Sequence, residues 1–251
     1  KAAIFPTPVI GMLGLIEDVD NHLMNPLFKE EGDIIYYLGA PRTGLGGSEY
    51  LRHIHGLTTG DAPSLDLDFE ARLQKLLLEL IQSGQINAAH DLSDGGLAVA
   101  LAEMAIFSGK GAEVRLDAKP THAETIEQYY SEAQSGVIIT VPASTQTGTS
   151  TQMGTPTQTG TPIQTVSSTQ TEASTQSNAT KQTGTSSAQS ASSPANALLQ
   201  QCSDAGIPII KIGVVKGDTL KISDQIHIKV PDLKQVWAQT IPEAMESTVT
   251  A

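Results

Sequence analysis

The sequence predicts an α/β domain, an α+β-like mixed sheet with flanking helices that is interrupted by one long insertion. Three observations carry this. Short apolar and β-branched runs alternate with stretches of helical periodicity on both sides of the insertion. The 251 residues, 39% hydrophobic and 17% charged, suffice to bury one sizeable core or two small ones. Residues 143–194 form a Thr/Gln/Ser/Gly tract with almost nothing apolar to bury, which predicts a disordered insertion instead of further fold.

In chain order, residues 8–15 are a continuous apolar run containing Gly11 and Gly14, followed by Glu17-Asp18-Val19-Asp20. The run reads as a buried strand leaving a domain. Lys1, with no initiator methionine, reads as the interior of a longer chain. Gly32-Asp33 turns into a second buried strand over 34–38. A glycine-rich loop follows, in which Gly46, Gly47 and Ser48 open a helix at Glu49-Tyr50, with Arg42 nearby. Two readings stand there: a loop whose amides and Ser48 hydroxyl wrap an anionic ligand, and a strand-to-helix turn capped by Ser48. His53 and His55, two apart, point to different helix faces and do not make a zinc pair. Asp66-Leu67-Asp68 then leads the strongest helix, with Phe69, Leu73, Leu76, Leu77, Leu80 and Ile81 on one face and Ser83-Gly84 as its stop.

The organising stretch is His90-Asp91-Leu92-Ser93-Asp94-Gly95-Gly96-Leu97, followed by an amphipathic helix over about 95–107. Ser93 or Asp94 suits the N-cap, and Gly95 and Gly96 lack the Cβ atoms that hold a ligand away from backbone amides. A phosphate at such a helix start meets N–H donors and the positive end of the dipole. Asp91 and Asp94 are oxygen donors of the kind magnesium takes when it also bridges to phosphates. The alternative is structural: Asp94 as a cap and Gly95-Gly96 as a close contact. The stretch is neither a dinucleotide-binding fingerprint nor a phosphate-binding GK loop.

Beyond it, strands are expected over 111–116 and 137–141, with a helix over 124–130 between them. Ser131-Glu132-Ala133-Gln134-Ser135 is either a polar turn or a place where Glu132 and Gln134 meet a ligand. From Thr145 a six-residue unit recurs in seven copies, with glutamine in its second place from Gln146 to Gln182. A hexapeptide β-helix has this period but needs an aliphatic residue at a fixed place, and Met153, Ile163 and Val166 occupy different places. A tandem expansion at a loop tip costs little. Order resumes with a helix over 195–205, a strand over 207–215, strands over 220–222 and 226–230 with His227 outward, and a last helix carrying Leu233, Val236 and Trp237.

A formal charge of −12 disfavours nucleic acid and anionic membranes, whose phosphates call for clustered Lys and Arg. The single cysteine, Cys202, allows no internal disulfide and fits a reducing, cytoplasmic setting, where it serves as a small hydrophobe. There is no apolar run long enough to span a bilayer.

Four motifs in order, residues 5–15, Gly46-Gly47-Ser48-Glu49-Tyr50, residues 90–97 and Ser131-Glu132-Ala133-Gln134-Ser135, resemble the C-terminal part of the phosphoribosylformylglycinamidine synthase family. That family lies in the aminoimidazole ribonucleotide synthetase-like superfamily, which pairs an N-terminal with a C-terminal α/β domain. The resemblance implies the C-terminal domain of that fold. Residues 1–16 would be the last strand of a truncated N-terminal synthetase domain, 17–142 and 195–251 the two parts of the C-terminal one, and 143–194 an insertion. It also implies part of an ATP-dependent carbon–nitrogen ligase that converts formylglycinamide ribonucleotide to its amidine in purine synthesis, with ATP/ADP and Mg2+ as cofactors. Asp91 and Asp94 would be metal or nucleotide carboxylates. Gly95 and Gly96 would face phosphate, Gly46, Gly47 and Ser48 would line a ligand loop, and Glu132 and Gln134 would match a ribonucleotide-contacting turn. No catalytic residue is implied within the chain. Implied partners are the upstream synthetase domains, a glutaminase and small accessory subunits. The family usually has arginine where Gly136 stands, so that phosphate contact is missing here. The rival readings are another ATP-dependent member, of the aminoimidazole ribonucleotide synthetase, selenophosphate synthetase or thiamine monophosphate kinase type, or a structural half that binds nothing.

Overall fold

The computed structural model describes residues 9–40, 43–117, 119, 121–143 and 194–249. The N-terminal residues 1–8, Arg42 and the hexapeptide tract lie outside them. Among the described residues the elements run α1 (Val19–His22), β1 (Ile34–Gly39), α2 (Glu49–His55), α3 (Leu67–Gln82), β2 (Ala88–Asp91), α4 (Gly96–Ser108) and β3 (Ala112–Val114). They continue with α5 (His122–Tyr130), β4 (Gly136–Val141), α6 (Pro194–Asp204), β5 (Ile209–Val215), β6 (Thr219–Ile222), β7 (Ile226–Lys229) and α7 (Val230–Val249).

The seven strands form one mixed sheet in the order β2-β4-β1-β5-β3-β6-β7. Only the β3–β6 pairing is parallel, with Ala112 opposite Leu220. β1 is the centre. It pairs antiparallel with β4 (Ile34 opposite Val141) and with β5 (Leu38 opposite Ile209), with a register shift at Ile35/Tyr36. At β1 and β4 both faces of the sheet are covered, so these strands are apolar runs, whereas β6 alternates between buried and half-buried residues. Ile35, Tyr37 and Ile138 pack with Leu97, Leu101 and Met104 of α4 and with α5 and α7. Tyr36, Leu38, Val137, Ile139 and Val141 face the opposite way, onto Leu73, Leu76 and Leu80 of α3 and Leu198 and Cys202 of α6. Burying each such leucine contributes about 2 kcal/mol.

Two expectations change. Of residues 8–15, read as a buried strand, the described part from Val9 forms none; Val9, Met12, Leu13 and Leu15 are at least 86% exposed. A strand needs a sheet edge to pair with, and in this fold β2 and β7 end the sheet without engaging that segment. The helix after Gly95 is not amphipathic. Gly96, Leu97, Ala98, Ala100, Leu101, Met104, Ala105 and Ile106 are all buried, because α4 packs under the sheet and is also crossed by α5 and α7.

Candidate functional site

The strand directions set where a site can form. β1, β2 and β3 run the same way, since β1 and β2 both pair antiparallel with β4, and β1 and β3 both pair antiparallel with β5. Their carboxyl ends share one edge of the sheet with the amino ends of β4 and β5. The glycine loop after β1, the Asp91–Gly96 stretch after β2 and the 131–135 turn before β4 therefore meet there. The carboxyl edge is the usual place for ligands in open α/β sheets.

The 131–135 turn knits this edge together. One carboxylate oxygen of Glu132, Oε1, accepts from two backbone amides, Glu49 N at 2.8 Å and Gly95 N at 2.8 Å. It thereby joins the first residue of α2 to the N-cap of α4. Ser131, fully buried, donates its hydroxyl to the Thr43 carbonyl at 3.2 Å. Ser135 sits at φ 61°, donates its hydroxyl to Glu70 of α3, and its carbonyl accepts from Ala40 N.

The predicted residues fall into two groups. Ser48 is 2% exposed and is spent within the chain: its hydroxyl donates to the Leu45 carbonyl at 2.7 Å and accepts from Leu51 N at 3.3 Å as the N-cap of α2. Gly47 N–H donates to the Thr59 carbonyl, and a Cβ on Gly46 would overlap the Asp61 carbonyl oxygen. At α4 neither Ser93 nor Asp94 is the N-cap. Gly95 takes that place at φ 79° with no side-chain bond of its own, and the distant Glu132 carboxylate satisfies its amide. Gly96, at φ 63°, is needed for packing: a Cβ there would lie 2.6 Å from the Ser131 carbonyl oxygen and 2.9 Å from the Tyr130 carbonyl carbon.

Asp91, Ser93 and Asp94 point outward and are exposed, with the Asp91 side chain at 79%. His90, at 12%, lies between them and the helix, 3.1 Å from Glu103 Oε2 and 3.6 Å from Asp91 Oδ1. Among the described residues no cluster of three or more His, Cys, Asp or Glu side chains can hold a metal. The donor set fits magnesium only as an ion brought and mostly ligated by phosphates. Gln134 is exposed and lines a cleft of about 370 Å3 together with Thr43, Ser64 and Asp66. Gly136 is walled in, since a Cβ there would meet Tyr37 Oη at 2.7 Å and Leu92 Cδ1 at 3.1 Å. No arginine fits at that place without displacing the Tyr37 ring.

Sequence reasoning missed the aromatic flank, where Tyr50 stacks on Tyr130 with ring centroids 5.0 Å apart. Burial, with Tyr50 and Tyr129 alongside, pushes the Tyr130 hydroxyl above its ordinary range. Tyr50 follows Glu49 and Tyr130 precedes Ser131, so adjacency to the two motifs was the available signal. Cys202 is buried, and burial pushes its thiol up to about 11, which makes it inert at neutral pH.

Residues 30–151 match the family described as AIR synthase related protein, C-terminal domain. The chain is 48% identical over 141 residues to the phosphoribosylformylglycinamidine synthase subunit PurL of Symbiobacterium thermophilum, covering 55% of this chain and 18% of that protein. The PurL of Caldanaerobacter subterraneus is also 48% identical, over 139 residues. The chain thus spans about a fifth of the length of these relatives. Among solved structures, Thermotoga maritima PurL complexed with FGAR aligns at TM-score 0.54 and 17% identity, covering 86% of this chain and 30% of that one. The same protein complexed with ATP aligns at 0.51 and 16%, covering 86% and 28%. These likenesses speak for the fold. Residues 30–151 are thus similar in sequence to the AIR synthase related C-terminal domain and to a stretch of PurL, and the chain shares its fold with the solved PurL structures.

Proposed function

We propose that the chain serves as part of the ATP-dependent carbon–nitrogen ligase that turns formylglycinamide ribonucleotide into formylglycinamidine ribonucleotide in purine synthesis. The observation that carries this reading is 48% identity to PurL over 141 residues; the family match over residues 30–151 contains three of the four ordered motifs. The carboxyl edge then forms one wall of a nucleotide pocket, completed by further synthetase domains of the same enzyme. Gly46, Gly47, Gly95 and Gly96 line it with backbone, and Gln134 offers an exposed amide. Asp91 and Asp94 each offer a carboxylate to magnesium carried on nucleotide phosphates, where the ion neutralises phosphoryl charge. The chain contributes orientation and charge placement, and its one thiol is buried away from the edge. A glutaminase and small accessory subunits are the expected partners and the cytoplasm the expected compartment. No described helix is long and apolar enough to cross a membrane.

A second reading has its own support. Glu132 Oε1 and the Ser48 hydroxyl are both satisfied inside the chain, as expected of a half that braces the enzyme and binds no ligand. Isothermal titration of magnesium-ADP into the full chain, beside Asp91→Asn/Asp94→Asn, separates the two. Saturable binding lost in the double variant supports the nucleotide wall. A folded chain that takes up no nucleotide supports the brace.

A further inference from the structure

We propose that Glu132 is the positioning residue of this edge, a clasp that fixes the glycine loop ahead of α2 against the Gly95-Gly96 start of α4. This extends the nucleotide reading, and its first test does not depend on it. The two amides that share Glu132 Oε1, Glu49 N and Gly95 N, are 46 residues apart in sequence and belong to different loops. Neither loop reaches the other through a side chain of its own in the bonds that cap the helices: Ser48 caps α2 locally, and Gly95 brings no side chain to α4. The backbone around Glu132 is itself pinned, by Ser131 to Thr43 and by Ser135 to Glu70 and Ala40, so the carboxylate is presented at a fixed place. The Gly96 contact with Ser131 and Tyr130 closes the other side. A ligand that touches both loops needs their spacing, and Glu132 sets it without having to touch the ligand.

The test compares Glu132→Ala, Glu132→Asp and Glu132→Gln with the parent chain by amide hydrogen exchange. A hydrogen bond to a charged acceptor is lost at both amides in the alanine variant, so exchange at Glu49 and at Gly95 should rise together by about tenfold or more. Amides of the β1–β4 pairing serve as the control for intact fold. Glutamine keeps a carbonyl acceptor at the same reach and should restore protection to within about threefold at both positions. Aspartate, one methylene shorter, should lose at least one of the two bonds. A rise at only one loop, or failure of glutamine to restore protection in a folded chain, overturns the clasp. Should the alanine variant not fold, the contrast between glutamine and aspartate decides in the same way. The second readout is magnesium-ADP titration: where the parent chain binds, alanine should weaken binding about tenfold and glutamine should recover it. A parent chain that binds no nucleotide defeats the nucleotide reading and leaves the exchange result to judge the clasp.

Discussion

Two helix starts on the same edge look alike in sequence and are built differently. Gly46-Gly47-Ser48 before α2 and Asp94-Gly95-Gly96 before α4 both combine two glycines with a small polar residue. The first has a cap of its own: Ser48 caps the helix, the loop leans on residues 59–61, Glu132 reaches only the Glu49 amide, and none of the residues of α2 is buried. The second depends on distant parts: the N-cap is a glycine, its amide is satisfied from Glu132, and the helix it starts buries Leu97, Leu101, Met104 and Ile106 in the core. A glycine pair before a helix is therefore not one signal. At α2 it lets two loops touch at the surface, and at α4 it lets a turn lie across the start of a buried helix. Damage at the second start should unfold the domain, and damage at the first should stay local.

The strongest way to break that contrast is Gly96→Ala. The substitution places a Cβ at φ 63° and 2.6 Å from the Ser131 carbonyl oxygen, against backbone that cannot step aside. A loss of at least about 4 kcal/mol is expected, combining left-handed strain with overpacking. Denaturant unfolding reads it, and Cys202 gives an independent check. Its thiol is buried in the opposite core, so at pH 8 a thiol reagent should label it only through global opening. Faster labelling in Gly96→Ala is the expected result. A variant as stable as the parent would show that the close packing at α4 is not needed.

Alkaline titration perturbs the fold from a place remote from both starts. The Cys202 thiol is raised from 9.0 to about 11 in the folded chain. Above pH 9 the unfolded chain loses this proton before the native one does, so the unfolded state binds fewer protons and stability falls as pH rises. The contribution is fully present below about 9 and spent by about 11, roughly 2–3 kcal/mol in all. This loss should raise exchange at Glu49 and Gly95 without changing the ratio between them. Cys202→Ala should remove its share of the alkaline slope and leave that of the half-buried Tyr130 hydroxyl, at the cost of a small cavity.

At the first start, Gly46→Ala has an equally severe clash with the Asp61 carbonyl, yet the outcome should be milder. The surface loop has room to move, and α2 contributes nothing to the core. About 1–2 kcal/mol is expected, confined to α2 and residues 59–61, with Cys202 labelling unchanged. Accelerated labelling would mean that the loop is tied to the core after all.

What was legible in the sequence follows the range of the interactions. The α3 helix was plain because Leu73, Leu76 and Leu80 repeat at its own period and Asp66 and Ser83-Gly84 bound it. The strands β1 and β4 were plain as apolar runs, but their pairing, with Ile34 opposite Val141, lies more than a hundred residues apart and leaves no local trace. The same holds for the site. The glycine motifs announced helix starts, while the bond from Glu132 to Gly95 joins a side chain to a backbone amide that any residue carries, so no spacing encodes it. Residues 9–16 show the limit from the other side. Their apolar character was legible, and they pair with no strand of this sheet; the reading that assigns them to a strand of another domain is an expectation this sheet does not bear on.

The smallest test is Ser48→Ala, and it bears most directly on how the two starts differ. The Ser48 hydroxyl accepts from Leu51 N and donates to the Leu45 carbonyl, so its loss removes both the cap and the brace of the loop. N-cap replacements of this kind cost about 1 kcal/mol. Since Glu132 still holds the Glu49 amide from outside, α2 should fray at its first turn and not detach: exchange should rise at Leu51 and stay low at Glu49. At α4 no such division is available, because no side chain of its own caps it and Glu132 is the side-chain acceptor there. Exchange rising equally at Leu51 and Glu49 would mean that the local cap, and not the distant carboxylate, holds the first start, which would overturn the clasp.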